Sequence, residues 1–115
     1  MSQTQASEPL RGHRRNEERS LRLHRAVGEK LRRDPAMLAK ARARVRGWQS
    51  DGSVHPRYAD AWDHLLSLSP EEIFERLVDP GERMCALRQC SPFAGALTAQ
   101  ERWRILREAR EAESR

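Results

Sequence analysis

The chain has 115 residues, with 22 Lys and Arg against 17 Asp and Glu for a net charge of +5, and 37% apolar residues. That length holds one domain with a single core, and 14 of the apolar residues are Ala, so the large hydrophobes are too few for a two-lobed enzyme with a deep cleft. No apolar run is long enough to span a membrane, no apolar stretch follows the N-terminal charges as a secretory signal requires, and two Cys cannot build a disulfide framework, so a reducing cytoplasm is the expected compartment.

Residues 1–18 read as a flexible polar and basic tail, because Leu10 is the only large apolar residue after Met1. Such a segment buries too little to offset its ordering entropy. Glu8, Glu17 and Glu18 argue against a mitochondrial transit peptide. Residues 19–115 read as a single all-helical domain.

Regular punctuation follows the tail. Asp34-Pro35, His55-Pro56, Ser69-Pro70, Asp79-Pro80 and Ser91-Pro92 each place a proline after a cap or break. Proline at the first helical position loses no hydrogen bond, and Asp or Ser before it accepts from free amides. Ser69 to Glu72 and Thr98 to Glu101 have capping-box spacing. The pattern predicts six helices, at about 17–33, 35–48, 56–68, 70–78, 80–90 and 98–112. No segment alternates in the manner of a strand, and Asp51-Gly52-Ser53 is a turn between helical flanks. The expected architecture is all-α, a compact bundle or array of about six short helices with a polar N-terminal tail.

Each helix has an apolar stripe. The first offers Leu23, Val27 and Leu31, and the second Leu38, Ala41, Val45 and Trp48. The third offers Tyr58, Trp62 and Leu65, flanked by Ala61 and Leu68, and the last offers Trp103, Leu106 and Ala109 beside Ile105. All three Trp are expected as core anchors, with a partner-contact role as the alternative for one of them.

Charge is unevenly placed. Residues 1–47 hold 13 Lys and Arg against five acidic residues, and residues 48–115 hold nine against twelve. Such asymmetry suggests a polyanion or an acidic partner. Twenty of the 22 cations are Arg, whose planar fork suits phosphate and carboxylate, although a genome-wide Arg preference gives the same count.

The second helix is the most informative segment. Opposite its bulky side lie Ala36, Ala39, Ala43 and Gly47, bordered by Arg42 and Arg46 on one edge and Lys40 and Arg44 on the other. That smooth face suits a docked helix or a polyanion; equally, Ala favours an exposed helix for its propensity alone.

Residues 71–90 resemble the helix-turn-helix of small bacterial DNA-binding regulators, with Leu77, Met84 and Leu87 at apolar positions. The pattern departs at Phe74, Val78 and Asp79, and the recognition helix offers only Arg83 and Arg88 beside Glu82. The plain alternative is two packed helices joined by a Pro-Gly turn.

Metal and catalytic constellations are not expected. Cys85 and Cys90 are five apart and do not share a helical face, and Asp60 with His64 at i, i+4 suits a surface pair better than a metal without further ligands. The chain has no G-x-S-x-G, no P-loop and no Gly-rich phosphate cradle. Isolated Cys on apolar helix faces is usually inert. Glu71 and Glu72 suit the first turn of their helix. The expectation is therefore a non-enzyme without cofactor.

The run RQCSPFAGALTAQERWRILRE, and with it residues 20–107, resembles small helical bacterial proteins of the antitoxin-like kind. The resemblance implies an inhibitor or adaptor that binds and neutralises a partner enzyme, and many antitoxins also bind their own operator. From the residues themselves, the expected partner is a protein with an acidic or phosphate-binding site. The expected contacts are Arg14, Arg15, Arg42, Arg44, Arg46 and an exposed Phe93. The alternative for Phe93 is a plug at the end of the core. The alternative function is a nucleic-acid binder using Arg42, Arg46, Arg83 and Arg88.

Overall fold

A computed structural model describes the backbone of residues 2–114 and the side chains of residues 14–114. Six helices follow in order: α1 (Ser2–Arg33), α2 (Pro35–Asp51), α3 (Pro56–Leu65), α4 (Pro70–Leu77), α5 (Glu82–Arg88) and α6 (Ala99–Glu113). There is no strand among the described residues, and no helix among them is long and apolar enough to cross a membrane.

Local chemistry sets most boundaries. Asp34 Oδ1 accepts from the Ala36 amide, His55 Nδ1 from that of Arg57, and Ser69 Oγ from that of Glu72, each ahead of a proline in the first helical turn. Thr98 and Glu101 form the full capping box at the start of α6. Gly52 ends α2 at φ 71°, and its amide donates to the Trp48 carbonyl. Two expectations shift. Helix α5 starts two residues later than Asp79-Pro80 suggested, because Asp79 Oδ1 accepts from the Gly81 amide and holds a turn there. Helix α1 begins at Ser2 rather than near residue 17, so the backbone of the expected tail is helical. Among the tail's described side chains, Arg14, Arg15, Asn16 and Glu18 are exposed; those of residues 1–13 lie outside the described residues.

Helix α1 is the spine. It packs chiefly on α4 and α6, while α2 packs chiefly on α3. The core is built around Trp62, which is fully buried with Val45, Leu66, Ile73 and Leu77. The Trp62 indole N–H donates to the Leu87 carbonyl at 3.1 Å, which joins α3 to the end of α5. Its ring meets Phe93 edge to face at 6.0 Å between centroids. Of the other two tryptophans, Trp48 is half-buried against the core and Trp103 is 62% exposed.

The inward face of α1 differs from the Leu23, Val27, Leu31 stripe. It runs through His24, Val27 and Gly28, which are buried, to half-buried Leu31, the i, i+3, i+4, i+7 spacing of one helical face. Gly28 is required by close approach to α4: a Cβ there would stand 2.6 Å from Phe74 Cδ2. The Phe74 ring is in turn covered by the Arg32 guanidinium at 4.5 Å. Gly47 on α2 has open space around the corresponding position. These two helical glycines should therefore respond oppositely to alanine. Gly28→Ala should destabilise by about 1–2 kcal/mol despite the better helix propensity, and Gly47→Ala should stabilise by up to about 1 kcal/mol, both read by urea unfolding.

Candidate functional site

The arginines divide into two groups. Three of the expected site arginines are tied to backbone carbonyls within the fold. Arg42 Nη2 and Nε donate to the Leu66 carbonyl at 2.6 and 3.1 Å, which closes the C-terminal end of α3. Arg44 Nη1 donates to the Pro92 and Ala94 carbonyls at 3.1 and 2.9 Å and anchors the connection between α5 and α6. Arg88 is only 4% exposed, and its Nη1 donates to the Leu77 and Asp79 carbonyls at 3.1 and 2.7 Å, at the end of α4. A cation at a helix C-terminus is favoured by the unpaired carbonyls there. Arg42 and Arg44 stay exposed while making these bonds, whereas Arg88, expected as a nucleic-acid contact in the alternative reading, is buried.

Phe93 is also corrected. It is 7% exposed and lies against Trp62 and, at 6.4 Å edge to face, against His24. The outcome is the plug at the core end rather than a surface aromatic. Arg14, Arg15, Arg46 and Arg83 are exposed as expected, and so is the small-residue face Ala36, Ala39, Ala43 and Gly47. They are carried by three helices, Arg14 and Arg15 on α1, Arg46 on α2 and Arg83 on α5, and Arg14 lines a surface cavity together with Arg88. With Arg88 buried, the seven-residue α5 has Arg83 as its only exposed arginine, which is poor equipment for a recognition helix.

The residue that sequence reasoning missed is His24. It is buried, and Ser91 Oγ lies 2.8 Å from its Nε2 while the Ser20 carbonyl lies 2.7 Å from its Nδ1. A carbonyl only accepts, so Nδ1 carries the proton and Nε2 accepts from the Ser91 hydroxyl. Ser91 Oγ also accepts from the Phe93 amide at 3.2 Å. This Ser–His–carbonyl chain has the connectivity of an activated nucleophile. Its orienting carbonyl, however, belongs to the preceding turn of the same helix, and Ser91 is a turn residue of its own loop, so the chain reads as a clasp joining the loop to α1. The only sequence signal for His24 is its i, i+3, i+7 spacing with Val27 and Leu31.

The clasp forms one wall of a groove of about 560 Å³ between α1, the α5–α6 connection and α6. Two ion pairs close the α1–α6 seam, Lys30 to Glu101 at 2.7 Å and Arg19 to Glu113 at 3.5 Å. Lys30 and the Thr98 amide hold the Glu101 carboxyl down at about 2. On the outward side of α6, Trp103 carries the Arg107 guanidinium 4.7 Å above its ring, and Arg107 pairs with Glu111 at 3.8 Å. Arg104 and Arg110 are exposed on the same face.

Among the described residues no group of three potential ligands is placed to hold a metal ion. Asp60 Oδ1 accepts from Gln49 Nε2 of α2 at 3.0 Å, across the α2–α3 contact rather than along its own helix to His64. Cys85 and Cys90 are both half-buried free thiols, and burial raises the Cys90 thiol. No protein-family model, curated protein or solved structure matches this chain.

Acid should loosen the groove in two stages. Burial lowers the His24 pKa below 6.5, with the nearby Arg88 charge adding to the effect, so the unfolded chain binds this proton more readily. His24 stability is therefore complete above pH 6.5 and falls as pH drops through the lowered folded value. Glu101, depressed from 4.5 to about 2, contributes stability that is lost between those values. Melting temperature measured against pH should fall first below about 6.5 and again below about 4.5. His24→Gln should flatten the first fall, and Glu101→Gln the second.

Proposed function

We propose that this chain is a small non-catalytic protein-binding module that docks a partner protein through the outward face of α6. The observation that carries the reading is Trp103, 62% exposed on a helix whose other side is already covered by α1. Exposing a large aromatic residue forgoes the burial free energy that folding normally gains. Trp and Arg are the side chains that most often dominate binding energy at interfaces. Here the ring is held under Arg107 and flanked by Arg104 and Arg110, so a fitting partner has an apolar pocket rimmed by carboxylates.

Inhibition of a partner enzyme, in the manner of an antitoxin, is the specific form we propose for that binding. It draws on the resemblance of residues 20–107 and on the lack of a catalytic constellation among the described residues. The contacts move accordingly: Trp103, Arg104, Arg107 and Arg110 form the centre, and Arg14, Arg15 and Arg46 remain exposed cations for steering. Nucleic-acid binding is less favoured, because Arg42 and Arg88 are bonded to backbone carbonyls.

Capture from host lysate with tagged wild-type chain and with Trp103→Ala tests this reading. The expected result is a stoichiometric protein that survives nuclease, is at least tenfold depleted with Trp103→Ala (about 1.4 kcal/mol or more), and has its own activity suppressed by the wild-type chain. The melting temperature of Trp103→Ala should match wild type, since the ring is not in the core. Equal capture by both chains contradicts the α6 interface, and recovery of nucleic acid alone contradicts the protein-binding reading.

A further inference from the structure

We infer that the groove between α1, the α5–α6 connection and α6 is a binding site for a small organic anion, one with a carboxylate or phosphate head and an apolar body of about the size of an aromatic ring. The inference is independent of the α6 interface, because none of Trp103, Arg104, Arg107 and Arg110 lines the groove.

The lining is selective in charge. Arg19, Arg88 and Arg102 reach it from α1, α5 and α6, and among the described residues no Asp or Glu lines it. The three guanidinium groups differ in how far they are already engaged. Arg88 has both Nη1 protons on carbonyls and one Nη2 proton on Cys85 Sγ, which leaves Nε and the second Nη2 proton. Arg19 holds Glu113 through a long contact of 3.5 Å, so an incoming anion competes with one exposed carboxylate. Arg102 is exposed, and its guanidinium group has no hydrogen bond or ion pair among the described residues. An arginine with an open fork is the group best shaped to take a carboxylate or phosphate through two parallel bonds.

The His24–Ser91 clasp keeps the floor uncharged. With the ring neutral and both nitrogens bonded, it adds polarity without a competing charge. Leu23, Phe93 and Leu106 supply apolar wall, so the groove suits an amphipathic ligand better than a bare ion. Its volume of about 560 Å³ lies within the range of small-molecule sites, roughly 300–1,000 Å³.

Calorimetric titration of the full chain with phenyl phosphate, 3-phenylpropionate, 3-phenylpropanamide and inorganic phosphate tests the site. The expected result is binding of the two aromatic anions, at least about tenfold weaker binding of the neutral amide and of inorganic phosphate, and a loss of about tenfold with Arg102→Ala. Arg46→Ala, at an exposed position that does not line the groove, should leave the affinity unchanged. Amide shifts on binding should centre on residues 89–97. Equal binding of the amide overturns the anionic head, and equal binding of inorganic phosphate overturns the apolar body. Unchanged affinity in Arg102→Ala, or no binding of either aromatic anion at millimolar concentration, overturns the site.

Discussion

The fold depends on guanidinium groups closing the ends of short helices. Helices α3, α4 and α5 have ten, eight and seven residues, so a large share of their carbonyls lies in a last turn without an intrahelical partner. Arg42 closes the end of α3, and Arg88 closes the end of α4 from inside the protein. Arg44 does the same for the loop that carries Pro92 and Phe93. A buried carbonyl without a donor costs about 1–3 kcal/mol, a large fraction of what a domain of this size can lose. Arginine suits the task because it stays charged and offers several donors in a fixed plane, so one residue satisfies two carbonyls.

That constraint sorts the cations by role. A count of 20 arginines invites a reading in terms of phosphate or nucleic acid. Once Arg42, Arg44 and Arg88 are assigned to carbonyls, Arg32 to the Phe74 face, and Lys30 and Arg19 to the α1–α6 seam, the cations with open forks are fewer and dispersed. Two local groupings stand out: Arg104, Arg107 and Arg110 around Trp103, and Arg102 at the mouth of the groove. They lie on different sides of α6, so this last helix carries both proposed contacts.

The legible part of the structure was the part set locally. Proline with Asp, Ser or His before it marked the starts of α2, α3 and α4, because a cap needs only its own turn. The Thr98–Glu101 box likewise marked α6. The core stripe of α2 and the burial of Trp62 followed from helical period. What stayed hidden depended on distant partners. Leu66 and Pro92, which receive Arg42 and Arg44, are 24 and 48 positions away in sequence. Trp103 shares a helical stripe with Leu106 and Ala109, yet the edge of α1 leaves it outside, and only the position of α1 decides that. Phe93 looked like a loop aromatic, but the Ser91–His24 clasp turns it inward. Helix α1 extended beyond the apolar pattern because pattern reports burial, whereas helix can continue on charge pairs and propensity alone.

The most direct test of the arginine assignment is urea unfolding of Arg42→Ala, Arg44→Ala and Arg88→Ala beside Arg46→Ala. The account predicts a loss of about 2–4 kcal/mol for Arg88→Ala, which strands the buried Leu77 carbonyl and unties that of Asp79, and about 1 kcal/mol for each of the surface ties of Arg42 and Arg44. Arg46→Ala should stay within about 0.5 kcal/mol of wild type. Four equal small losses would contradict it, because the arginines would then be interchangeable surface charge.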